Sequence, residues 1–91
     1  MLDLIARDYL ILGRVQGVGF RYFAERAARE AGVTGWARNL ADGSVEVHAN
    51  GNRAQIERFE SKLRVGPPRC EIRSFESTEA SPTQTGTFEI R

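Results

Sequence analysis

The order of local signals along this chain predicts an α+β sandwich, with two helices on one face of a mainly antiparallel sheet. Two observations carry that expectation. Apolar residues recur at helical spacing in two stretches only, one from Phe20 to Ala31 and one through Ile56, Phe59 and Leu63. The remaining apolar segments are short runs bounded by glycine, proline or Asp-Gly turns, as strands are. In order, these runs read βαββαβ with one short strand added at the C-terminus. Both helical stripes are then buried against one face of the sheet, which is a ferredoxin-like α/β sandwich.

The first strand is read from Tyr9 to Val15, apolar on both faces and therefore central, and ended by a glycine turn. Phe20, Phe23, Ala24, Ala27, Ala28 and Ala31 then recur at three and four residues, with Glu25 and Arg29 an (i, i+4) pair on the wet face and Gly32 closing the helix. Thr34–Asn39 is the second strand. Asp42-Gly43 predicts a hairpin into a third strand, Ser44–Ala49. Its alternation turns Val45, Val47 and Ala49 one way and Glu46 and His48 the other. Asn52 and Gln55 stand at capping-box spacing before the second helix, which Gly66-Pro67-Pro68 stops. Cys70–Glu79 reads as a fourth strand with Ile72 and Phe75 on opposite faces, Ala80–Gly86 as a polar loop, and Thr87–Arg91 as the short last strand.

Composition narrows the function classes. A chain of 91 residues is one domain, residues 1–91, with room for one modest core and none for a separate cofactor domain. A net charge of +1 provides no global field to draw nucleic acid or a membrane surface, although a small anion needs only local positive charge. Cys70 is the single cysteine, so neither an internal disulfide nor a cysteine zinc site can form, and a reducing compartment is expected. The start, Met1-Leu2-Asp3-Leu4-Ile5-Ala6-Arg7-Asp8, is too short and too early charged for a signal peptide. The expectation is a soluble, cytoplasmic monomer.

The densest signal is Gly13-Arg14-Val15-Gln16-Gly17-Val18-Gly19-Phe20-Arg21, which joins the first strand to the first helix. Glycines in a strand-to-helix turn let main-chain N–H groups approach an anion, and an arginine stands where the helix opens. Arginine in a first turn opposes the helix dipole, a cost that a bound anion offsets. A strand–helix–strand crossover makes the first two strands parallel, so the glycine loop and the end of the second strand lie on the same edge of the sheet. Asn39, far away in sequence, is thereby brought to face the loop.

With these residues in hand, the chain resembles the acylphosphatase family. Gly13–Arg21 is similar to the first signature of that family, and Gly35-Trp36-Ala37-Arg38-Asn39 followed by Asp42-Gly43-Ser44-Val45-Glu46 to the second. Gly66-Pro67-Pro68 and the ending Phe88-Glu89-Ile90-Arg91 resemble its later landmarks, so the likeness runs over essentially the whole chain. Leu40 is a departure, at a position where some members carry a hydroxyl. The resemblance implies metal-independent hydrolysis of the carboxyl–phosphate bond of an acyl phosphate, giving carboxylate and orthophosphate. It implies that Arg21 binds phosphate and Asn39 orients the attacking water, with no cofactor, no metal and no phosphoenzyme. The expected partners are a small acyl phosphate and inorganic phosphate as product and inhibitor, with no nucleic acid and no membrane.

That chemistry suits the residue types. The carboxylate leaving group departs without a general acid, and phosphoryl transfer asks mainly for positioning and charge stabilisation. Arg21 offers a fixed fork of donors, and Gln16, Gly17, Val18, Gly19 and Phe20 offer main-chain N–H groups. The Asn39 carboxamide can hold a water but is too weak a base to deprotonate it, so a phosphoryl oxygen takes the proton. Other polar residues read as structural: His48 as an exposed surface histidine, Cys70 as a buried or half-buried thiol, Asp42 as a turn residue, Trp36 as packing.

Three rival readings follow from the same pattern. The chief one is a non-catalytic phosphate or small-ligand module on this fold. An RNA binder would want exposed aromatics on the central strands, where Glu46 and His48 stand instead. A domain of a larger carbamoyl-transferring maturation protein would be followed by zinc-finger cysteines, and none follows the last strand.

Overall fold

In a computed structural model that describes residues 3–91, the elements are β1 (Ile5–Arg14), α1 (Phe20–Ala31), β2 (Thr34–Asn39), β3 (Val45–Gly51), α2 (Arg53–Val65), β4 (Glu71–Ala80) and β5 (Phe88–Ile90). Met1 and Leu2, part of the short start weighed above, lie outside the described residues. The five strands form one sheet in the order β4-β1-β3-β2-β5, antiparallel throughout except where β5 runs parallel to β2. The expected βαββαβ order with a short extra strand is therefore the order observed.

The helices share one face. Ala24, Ala27, Ala28 and Ala31 turn a stripe of small side chains to the sheet from α1, and Ile56, Phe59 and Leu63 do the same from α2. Tyr9, Ile11, Ala37, Val45, Val47 and Ala49 meet them from the strands, all almost fully buried. Asn52 caps α2 as its spacing predicts: its side chain accepts from the Gln55 main-chain N–H at 2.8 Å, and the Gln55 side chain accepts from the Asn52 N–H at 2.8 Å. Val65 ends that helix ahead of Gly66.

Strand limits differ from expectation at one end of the sheet. β1 begins at Ile5 rather than Tyr9, and β3 continues to Gly51, because Ile5 pairs with Gly51 and Ala6 with Asn50. A single bulge corrects the reading of β4. Leu12 pairs with Ser74 but Gly13 pairs with Ile72, so β4 carries one extra residue there. That residue reverses the alternation. Ile72 and Phe75, expected on opposite faces, both pack against the core.

The other correction is His48. Alternation puts it on the face away from the helices, as expected, but it is only 5% exposed. It pairs across the sheet with Asp8 on β1 and Trp36 on β2. The Asp8 carboxylate lies 2.6 Å from its Nδ1, and the Trp36 ring stacks on it at 5.7 Å. The chain must also travel from β4, at one edge, to β5, at the other. It crosses this outer face, where the Thr83 hydroxyl lies 3.0 Å from His48 Nε2 and the Thr83 N–H donates to Asn50 Oδ1 at 2.8 Å. Burial of His48 thus comes from a loop that leaves no periodic signal.

Candidate active site

β1 and β2 both run antiparallel to β3 and hence parallel to each other, so their C-terminal ends share one edge of the sheet. At that edge is a hollow of about 190 Å³ lined by Val15, Gln16, Gly17, Gly19, Phe20, Arg21, Tyr22 and Asn39. Arg21 and Asn39, eighteen positions apart, are on its wall together.

The wall from Gln16 to Phe20 is main chain by construction. Gly17 and Gly19 have φ of 75° and 79°, the left-handed region that side chains resist. Nothing would touch a Cβ at either position, so glycine is required there by conformation and not by lack of room. Val15 and the Phe20 ring are buried, which leaves their main chain to face the hollow, and Val18 packs toward the core instead of lining it. α1 then starts with Gly19 as its N-cap and without a side-chain cap or an acidic residue in the first turn. Its first N–H groups are left to an external acceptor, at the positive end of the helix dipole.

Two neighbours hold this wall in place. Arg21 Nη1 donates to the main-chain oxygen of Arg91 at 3.0 Å, just beyond β5. The Arg91 N–H in turn donates to Ala37 O on β2 at 2.8 Å, so the guanidinium is anchored through the edge of the sheet. Gln16 spends its carboxamide away from the hollow: Nε2 donates to Leu40 O at 2.8 Å and to Ser44 O at 3.0 Å, both in the hairpin that follows Asn39. That hairpin is stiffened by Asp42, which accepts from the Ser44 N–H at 2.9 Å and the Ser44 hydroxyl at 2.5 Å. These bonds hold the Asp42 carboxyl below the usual aspartate range. The turn role expected of Asp42 is the one it has.

Other chemistry-bearing side chains are elsewhere. His48 is engaged on the outer face, and Cys70 lies outside the hollow, where burial raises its thiol above the ordinary range. Among the described residues no group of three His, Cys, Asp or Glu side chains is arranged to hold a metal. Sequence reasoning missed two neighbours of these residues. Tyr22 is exposed at the rim of the hollow, and its signal was an aromatic residue out of phase with the apolar stripe of α1. The Arg91 carbonyl had no signal, because any residue supplies one.

The arrangement can seat a tetrahedral anion between main-chain N–H groups and a guanidinium, with a carboxamide alongside. The chain is also similar to known proteins over nearly its whole length. Residues 7–90 match the acylphosphatase family model. An acylphosphatase of Solibacter usitatus is 46% identical over 86 residues, covering 94% of this chain and 90% of that one. The structure of an acylphosphatase from Coxiella burnetii superposes with a TM-score of 0.92 at 31% identity, covering 98% of this chain and 94% of that one. Full-length HypF, in its phosphate- and nucleotide-bound form, matches all of this chain with a TM-score of 0.89 at 26% identity, over 12% of its own length.

Proposed function

The chain belongs to the acylphosphatase family and hydrolyses acyl phosphates, and on that premise we propose that the hollow between Arg21 and Asn39 is where the phosphoryl group reacts. Arg21 holds two phosphoryl oxygens with its planar fork, and the N–H groups from Gln16 to Phe20 cradle the phosphate at the helix N-terminus. Asn39 accepts from and donates to a water, holding it in line with the scissile bond. The water oxygen attacks phosphorus as the P–O bond to the acyl group breaks, and that electron pair leaves as carboxylate. One water proton passes to a phosphoryl oxygen, so the products are carboxylate and orthophosphate in the charge balance of the reactants. Neither a metal nor a phosphoenzyme takes part.

The observation that carries this reading is the uncapped α1 N-terminus, free of acidic residues, opening with Arg21 onto the same hollow as Asn39. A near-neutral net charge supports a small-molecule substrate over nucleic acid, and we read the protein as a cytoplasmic monomer of one domain. The deciding experiment follows benzoyl phosphate hydrolysis with a chelator present, for wild type and Asn39→Ala. Wild type is expected to turn over undiminished and the variant to fold but hydrolyse poorly. No turnover by folded wild type would leave phosphate binding as the hollow's role, and chelator-sensitive turnover would overturn the metal-free reading.

A further inference from the structure

We propose that Gln16 is a positioning residue, which acts by fixing the distance between the phosphate cradle and Asn39. This inference rests on the reading of Asn39 given above. The cradle and Asn39 belong to different segments: residues 15–21 follow β1, whereas Asn39 ends β2. Arg21 is anchored separately, through Arg91. Nothing in the loop's own conformation sets how far the carboxamide of Asn39 stands from the N–H groups.

The Gln16 side chain makes that connection. A primary amide has two N–H donors, and both are used, one on Leu40 O at 2.8 Å and one on Ser44 O at 3.0 Å. Those carbonyls bracket the hairpin turn. Leu40 directly follows Asn39; its own N–H donates to Ser44 O at 2.9 Å, and the Gly43 N–H donates to Leu40 O at 3.1 Å. Gln16 therefore grips the turn from both sides at the residue next to Asn39. Its amide orientation is set as well, since the reverse would put its oxygen against two carbonyls. Because each carbonyl keeps a main-chain donor when Gln16 is removed, the hairpin survives the loss, and what is lost is its placement relative to the loop.

An in-line attack tolerates little displacement, and a shift of about 1 Å can cost about a hundredfold in rate. The test is a double-mutant cycle on benzoyl phosphate hydrolysis with Gln16→Ala, Asn39→Ala and the double variant, together with inhibition by inorganic phosphate. Gln16→Ala is expected to lower kcat by about tenfold to a hundredfold. The inhibition constant for phosphate should change little, because alanine keeps the main-chain N–H of position 16 and Arg21 is anchored through Arg91. In the Asn39→Ala background the same change should cost almost nothing further. Gln16→Glu, equal in length, offers the two carbonyls no donor when ionised and one when protonated. Its activity relative to wild type should recover as pH falls.

Additive losses, or equal losses of kcat and phosphate affinity, would overturn the positioning role while leaving Asn39 in place. Full turnover by Asn39→Ala alone would overturn the reading of Asn39 and with it this inference.

Discussion

Replacing Arg21 by alanine probes the charge compensation in the hollow. The guanidinium has five N–H donors, and one is committed to Arg91 O at 3.0 Å. The others are free to form a bidentate pair with two phosphoryl oxygens. Hydrogen bonds to charged groups contribute about 1.5–3 kcal/mol each, so a pair is worth about 3–6 kcal/mol. The hollow opens to solvent and Arg21 is half-buried, which puts the expected loss near the lower end, about 3–4 kcal/mol, or a factor of about 10² to 10³ in kcat/KM. Arg21→Lys keeps the charge but not the planar fork, and should recover only part of this loss. The assay is kcat/KM on benzoyl phosphate alongside thermal unfolding. Unfolding should hardly move, because the side chain is not in the core and its removal relieves a positive charge at the helix N-terminus. An Arg21→Ala protein within a few fold of wild-type kcat/KM would refute the assignment of phosphate charge to this residue.

Other consequences test fold and site separately. Phe59 is fully buried between Tyr9 and Phe88, with ring centroids 6.2 and 5.9 Å away, so Phe59→Ala should cost about 3–5 kcal/mol in denaturant unfolding; a loss below about 1 kcal/mol would contradict the packing described. Asn52→Ala removes one half of the α2 capping box and should cost about 1 kcal/mol by the same measurement without changing kcat. The Asp42 carboxyl is held below its ordinary 3.8 by Ser44, so its contribution to stability is complete above that value and lost as pH falls through the lower folded value. Thermal unfolding of wild type and Asp42→Asn should therefore converge in acid, and a constant gap would refute the link. The proposed chemistry uses no side chain as proton donor or acceptor, so kcat should be flat from about pH 6 to 8; a step within that range would bring a side-chain acid or base into the chemistry.

The legible parts of this molecule are those written as local patterns. The apolar period places Ala24, Ala27, Ala28 and Phe59 in the core, the glycines mark the turn before α1, and the parallel relation of β1 and β2 brings Asn39 to Arg21. What stayed hidden depends on contacts between distant segments. The bulge that turns Ile72 and Phe75 to one side is a single extra residue with no side-chain signature. His48 reads as exposed because the segment that covers it, around Thr83, is polar and aperiodic. Gln16 looked like one more member of the loop, because the partners of its carboxamide are two main-chain carbonyls more than twenty residues away.

Titration of the isotope-labelled protein with inorganic phosphate, followed by amide NMR, tests the central placement most directly. Phosphate should move the N–H resonances of residues 16–21 and the side-chain amide of Asn39, with the half-point matching competitive inhibition of benzoyl phosphate hydrolysis. Shifts confined to other parts of the surface, or inhibition that substrate cannot relieve, would contradict a phosphoryl site between Arg21 and Asn39.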